Sequence, residues 1–171
     1  MALRLFLDFD GTITTEDVGD ALFQTFGAFE PHHGDLLRGD FSVAEYYRRV
    51  TASIPTDRTL DHLQEWAETR ELDPGFVPLV RWAHAQNIPV TVVSDGFDVY
   101  IEPILARSGV RDLVEVSANR IITAAGGLQP VFPGASEACS CFCASCKRNA
   151  VVTRIHEDDV AIYVGDGRSD A

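Results

Sequence analysis

The chain has 171 residues, of which 46% are apolar and 23% charged, enough for one sizeable core and a small insert. Its 26 acidic against 14 basic side chains give a formal charge of −12, which argues against nucleic acid or an anionic membrane as partner. Met1-Ala2-Leu3-Arg4 leads into an apolar run too short for a secretory signal, no stretch reaches the roughly 18 apolar residues of a membrane span, and all four cysteines fall between Cys139 and Cys146, unlike a disulfide framework, so a cytoplasmic protein is expected.

Residues 4–9 read as a central parallel strand. The strand runs into Asp8-Phe9-Asp10-Gly11-Thr12-Ile13-Thr14. Open α/β sheets place ligands at such C-terminal strand ends, and two carboxylates two residues apart are costly to hold there without a task. Thr15-Glu16-Asp17 reads as a helix start with acidic residues in its first turn. Glu16 and Asp17 serve equally well as favourable helix charges or as groups facing a substrate. Residues 16–72 read as mostly helical, broken near Gly27, Pro31, Gly39 and Pro55, with Ser42 and Glu45 forming a capping box. His32-His33 reads as a surface loop. No strand signal interrupts this region. Residues 15–73 are therefore expected to form a helical cap, and residues 1–14 and 74–171 the core.

Asp73-Pro74-Gly75 is a turn, and Phe76 to Gln86 has helical periodicity. Ile88 to Val93 reads as a second buried strand, ending at Ser94-Asp95-Gly96, and Tyr100 to Arg107 as a helix closed by Ser108-Gly109. Val114 to Ser117 reads as a third strand and residues 119–132 as a hairpin around Gly126-Gly127. Cys146 to His156 reads as a helix with Lys147 in its first turn. Val160 to Val164 reads as another buried strand, ending at Gly165-Asp166-Gly167-Arg168-Ser169-Asp170. Three strands thus end in polar, glycine-bearing loops, which a parallel sheet gathers on one edge. The expected fold is α/β, a Rossmann-like parallel sheet with a helical cap inserted after its first strand.

These residues suit phosphoryl transfer. A carboxylate such as Asp8 can attack phosphorus and form an aspartyl-phosphate. Mg²⁺ would neutralise the phosphate, held by Asp8, the backbone carbonyl of Asp10, and Asp166. Asp10 suits a general acid and then base, since a neighbouring carboxylate raises one pKa of such a pair. The Thr12 and Ser94 hydroxyls and the amides near Asp95 and Gly96 can meet phosphate oxygens. Lys147 would bind phosphate and Asp8, and Asp170 would orient metal waters or Lys147. Taken singly, Asp8 and Asp10 could be a turn, Ser94 a cap and Lys147 a solvated side chain. Phe97 and Tyr100 are expected to pack, or to border the substrate. Cys139, Cys141, Cys143 and Cys146 could hold Zn²⁺, although their spacing is tighter than a zinc knuckle. Free thiols, a labile disulfide and a structural metal all stay open.

With these motifs in order, the chain resembles the haloacid dehalogenase (HAD) superfamily phosphatases over essentially its whole length. DFDGT matches the first motif of that family, Ser94-Asp95-Gly96 the second, Lys147 the third and GDGRSD the fourth. The helical stretch matches the cap of the phosphoserine-phosphatase-like branch. DFDGTIT with Glu16-Asp17, and Cys143-Ala-Ser-Cys146-Lys147, further resemble the branch holding the methionine-salvage phosphatase of 2-hydroxy-3-keto-5-methylthiopentenyl-1-phosphate. The resemblance implies Mg²⁺-dependent hydrolysis of a small phosphorylated metabolite. Phosphoserine phosphatase is the alternative within the class, and Asp10 disfavours a dehalogenase. A catalytically silent metal-binding or regulatory module built on the cysteines is the alternative from another class. Family members normally continue past the fourth motif through a helix and another strand. The C-terminal part of the core is therefore expected to be missing after Ala171, or a partner chain, as in a homodimer, to cover that edge.

Overall fold

The structure is a computed structural model and describes residues 2–137, 139 and 142–167. Its sheet has the order β4-β3-β2-β1-β5, from β1 (Leu3–Leu7), β2 (Val90–Phe97), β3 (Val114–Ala124), β4 (Gly127–Val131) and β5 (Val160–Val164). The pairs β5–β1, β1–β2 and β2–β3 are parallel, and β3–β4 is antiparallel. The fold is α/β as expected, with one antiparallel strand at the edge. β2 is buried along its whole length, as a parallel strand covered on both faces should be.

Three elements differ from their sequence signatures. The third strand and the hairpin are continuous, because β3 pairs with β2 through Asn119 and with β4 from Arg120 onward. Ser94-Asp95-Gly96 lies within β2 rather than after it, across a register shift between Val93 and Phe97. β5 is not buried: Val160, Ile162 and Val164 are 46%, 45% and 45% exposed. An apolar run shows that a strand can be covered, not that it is. β5 lies at the sheet edge against β1, and among the described residues no helix packs broadly on it. The Arg4–Asp159 ion pair at 2.7 Å fixes its start.

Four helices follow β1: α1 (Val18–Phe26), α2 (Phe29–Arg38), α3 (Val43–Ala52) and α4 (Leu60–Ala67). Asp17 caps α1 by accepting from the Asp20 amide at 2.8 Å, and Thr59 with His62 forms a reciprocal capping box on α4. Ser42 caps α3 through the Glu45 amide at 3.2 Å. The Glu45 carboxylate instead takes Arg49 at 2.8 Å, an i,i+4 pair that competes with the capping box. His32 and His33 belong to α2, not to a loop. The chain leaves and rejoins the sheet side by side: Thr14 bridges Leu72, and the Asp73 amide donates to the Ile13 carbonyl at 2.8 Å.

The remaining helices are α5 (Phe76–Ala85), α6 (Asp98–Ser108) and α7 (Lys147–Val152), with a 3₁₀ turn at Arg111–Leu113. α7 is shorter than its signature, ending at the Thr153 cap. α4 packs on α6 and α3 on β4. Leu7 of β1 and Phe9 just beyond it share one apolar cluster with Leu22, Phe23 and Leu63 from the helices. Phe23 meets the Phe97 ring edge-on, with centroids 6.0 Å apart, so an aromatic contact ties α1 to the end of β2. Among the described residues, no helix is long and apolar enough to cross a membrane.

Candidate active site

The C-terminal ends of β1, β2 and β5 and the start of α7 meet at one cavity of about 530 Å³, closed on the far side by α1, α2 and α3. Asp8 follows β1 and is buried. Its amide donates to the Val164 carbonyl at 2.9 Å, and its Oδ1 accepts from the Phe9 amide at 2.7 Å. The same oxygen lies 2.9 Å from Lys147 Nζ, and both side chains are less than a tenth exposed. Burying either charge alone would be very unfavourable, so each requires the other.

Beyond Asp8 the backbone folds on itself, and the Thr12, Ile13 and Thr14 amides all point to the Phe9 carbonyl. Gly11 takes φ +71°, and a Cβ there would lie 2.5 Å from Asp166 Oδ2. Glycine is therefore needed twice, for the conformation and for the approach of Asp166. The Thr12 hydroxyl donates to Asp166 Oδ1 at 3.2 Å. Thr12 is not among the cavity-lining residues, so its contact with the site runs through Asp166.

Asp10 sits at the N-terminus of α1, where amides lack helical partners. Its Oδ1 accepts from the Val18 and Gly19 amides at 3.0 and 3.1 Å, and Tyr100 Oη donates to its Oδ2 at 2.7 Å. Burial, then repulsion from Asp17 and more weakly from Asp8, outweigh these donors and raise its pKa to about 8. Gly96 leaves room for this pair: a Cβ there would lie 1.8 Å from Tyr100 Oη and 2.6 Å from Asp10 Oδ2.

Ser94 is buried on the cavity wall, and its Oγ accepts from the Gly96 amide at 2.9 Å. The Asp95 carboxylate has another occupation. It accepts from the Ala144 amide at 2.9 Å, the Ser145 amide at 2.8 Å and Asn119 Nδ2 at 3.1 Å. Ser145 Oγ in turn donates to Asn119 Oδ1 at 2.5 Å. Burial raises the Asp95 pKa to about 6 against the pull of these hydrogen bonds. Asp95 thus fastens the segment that leads into Lys147.

On the helix side, Asp17, Asp20, His33, Tyr46 and Tyr47 line the same cavity. Burial, followed by repulsion from Asp17, raises the Asp20 pKa to about 6. Burial also raises that of Asp17. No sequence signal marks Tyr100 as partner of Asp10, Asn119 and Ser145 behind Asp95, or Asp20, His33 and Tyr46 on the wall. Tyr100, four residues after Gly96 and so in the first turn of the next helix, offered the nearest hint.

Among the cysteines, Cys139 and Cys143 have their sulfurs 3.6 Å apart. Cys146 caps α7, its sulfur accepting from the Asn149 amide at 3.4 Å. Cys141 and Asp170 lie outside the described residues. Among the described residues, no three carboxylate, imidazole or thiol side chains gather to hold a metal ion. The expected Mg²⁺ set asks for fewer side chains, the Asp8 and Asp166 carboxylates, with the Asp10 carbonyl. Both carboxylates line the cavity, the space beside Asp166 is one a Cβ at Gly11 would fill, and hard oxygen donors suit Mg²⁺.

Over 99% of its length the chain is 27% identical to a protein of Bacillus cereus (strain ATCC 14579) named 2-hydroxy-3-keto-5-methylthiopentenyl-1-phosphate phosphatase, of which it spans 78%. It is 26% identical, with the same shares covered, to the protein of that name in Exiguobacterium sibiricum. Among solved structures it matches a phospho-aspartyl intermediate analogue of phosphoserine phosphatase with a TM-score of 0.65 at 20% identity, covering 99% of this chain and 81% of that one. A HAD family hydrolase from Salmonella enterica serovar Typhi gives a TM-score of 0.70 at 14% identity, over 93% of this chain and 55% of that one. The family model of the haloacid dehalogenase-like hydrolases matches residues 5–171, and the chain belongs to that family.

Proposed function

We propose that this chain hydrolyses a small phosphomonoester with Mg²⁺, through an aspartyl-phosphate, an acyl phosphate, formed on Asp8. The protein is a phosphatase of its hydrolase family, with curated relatives named as phosphatases over 99% of its length. The observation that carries the mechanism is the buried Asp8–Lys147 contact at 2.9 Å, with Asp10 held on the same cavity wall.

An Asp8 carboxylate oxygen attacks phosphorus in line, and the bond from phosphorus to the ester oxygen breaks. Asp10 gives its proton to the departing alkoxide. Its carboxylate then takes a proton from the water that attacks phosphorus, and Asp8 is released with inorganic phosphate. Lys147 holds Asp8 and meets the phosphate charge, and the Ser94 hydroxyl donates to a phosphate oxygen. Tyr100 and the Val18 and Gly19 amides fix the Asp10 carboxyl. Mg²⁺, with the Asp8 and Asp166 carboxylates and the Asp10 carbonyl as ligands, would neutralise the equatorial oxygens. Residues 15–73 act as the cap that excludes water and selects the substrate over a core of residues 1–14 and 74–171. The substrate is a soluble cytoplasmic metabolite, and the enol phosphate in the relatives' names is the first ester to assay.

Hydrolysis of p-nitrophenyl phosphate with Mg²⁺ tests this reading. The wild type should turn over and Asp8→Asn should not. Equal activity in the two removes Asp8 as nucleophile.

A further inference from the structure

We propose that the helix side of the cavity recognises a primary ammonium group, so that the substrate is the phosphate ester of an amino alcohol without a carboxylate. This rests on the phosphatase reading and names the substrate class of that site.

Two carboxylates of α1, Asp17 and Asp20, line the cavity. Asp17 accepts from the Asp20 amide, whereas the Asp20 carboxylate makes no hydrogen bond or ion pair among the described residues. The third acidic residue on this wall, Glu16, is met by Arg70 at 3.3 Å. The lysine on the wall, Lys147, is at the opposite end against Asp8, and no arginine lines the cavity among the described residues. Acidic side chains alone would not define a site. Tyr46 supplies the independent observation. It lines the same cavity, is 2% exposed, and among the described residues its hydroxyl has no hydrogen-bond partner. That hydroxyl also lies within the electrostatic reach of Asp20 and Asp17, yet bonds to neither.

A buried hydroxyl left unmet is unfavourable, and Asp17 repels the Asp20 carboxylate more than the His33 ring on the same wall offsets. A primary ammonium resolves both at once. Its three N–H donors match three acceptors, the Asp17 and Asp20 carboxylates and Tyr46 Oη. Leu36 and Val43 on the same wall suit the short alkyl linker between nitrogen and phosphate oxygen. The same wall opposes an amino-acid phosphate. The carboxylate of phosphoserine would enter beside Asp17 and Asp20, and the guanidinium of Arg70 is already engaged by Glu16.

The test uses the full chain with Mg²⁺ and four esters: O-phosphoethanolamine, its uncharged isostere propyl phosphate, O-phosphoserine, and the enol phosphate in the relatives' names. The expected kcat/KM for phosphoethanolamine exceeds that for each of the others by at least about tenfold. Asp20→Asn and, separately, Tyr46→Phe should each cut the ratio of phosphoethanolamine to propyl phosphate by about tenfold. Equal rates on the first two esters, a ratio untouched by both substitutions, or a higher kcat/KM on the uncharged enol phosphate overturns the ammonium site and leaves the phosphatase reading standing. If no ester is hydrolysed, the phosphatase reading fails, and calorimetry decides the ammonium site alone. Phosphoethanolamine binding at least about tenfold tighter than propyl phosphate supports it, and equal binding overturns it.

Discussion

The two walls of the cavity are built on opposite terms. On the strand side, the polar groups are already engaged. Asp8 has Lys147, Asp10 has three donors, and Asp95 has two amides and Asn119. On the helix side, among the described residues, no hydrogen bond reaches the Asp20 carboxylate, and Tyr46 Oη is unmet. A wall complete in itself holds reacting groups at fixed positions. A wall with unmet groups is completed by what it binds. On the proposed reading, chemistry falls to the sheet side of the cavity and selection to the helices.

The most damaging way to break the strand side is Gly96→Ala. The new Cβ would sit 1.8 Å from Tyr100 Oη, so Tyr100 and Asp10 must separate. Loss of a positioned general acid should lower kcat by about 10²–10⁴-fold, with the far-ultraviolet circular dichroism spectrum kept. Lys147→Gln removes one member of a buried pair and strands the Asp8 charge. Urea unfolding should show a loss of about 3–5 kcal/mol, and phosphatase activity should collapse with it.

Asp95 gives a pH-resolved test of the same wall. Its folded pKa is raised to about 6 from an ordinary 3.8, so the folded state holds the proton more tightly than the unfolded chain does. The advantage of the protonated form is complete below about pH 4 and is lost as pH rises through about 6. The wild type should therefore lose about 3 kcal/mol relative to Asp95→Asn across that interval. A difference that does not change with pH would contradict the burial of that carboxylate. The smallest effect is expected from Tyr100→Phe, which deletes one hydrogen bond to Asp10 and should lower kcat by about tenfold, with KM little changed.

What could be read from sequence follows the same division. Asp8, Asp10 and Gly11 were legible because they are contiguous, and the strand before them fixes which way the chain runs. Ser94 and Lys147 were legible only through the order of the motifs behind Asp8, since alone the one reads as a cap and the other as a solvated side chain. The role of Asp95 was not, since its partners Asn119 and Ser145 lie 24 and 50 residues away and carry no pattern of their own. The exposure of β5 was illegible for another reason. Val160 to Val164 is as apolar as a central strand, and only the sheet order puts it at an edge. Tyr46 was illegible too, because helical spacing makes a buried tyrosine look like core, while its hydroxyl is the part that matters.

The central claim is that Asp8 becomes phosphorylated. It is tested most directly by acid-quenching the protein within the first turnover and mapping phosphate by mass spectrometry. The account predicts one phosphate on the peptide carrying Asp8, acid-stable and released by hydroxylamine, and none in Asp8→Asn. Turnover with no phosphate on that peptide, or with phosphate on another residue, would contradict it.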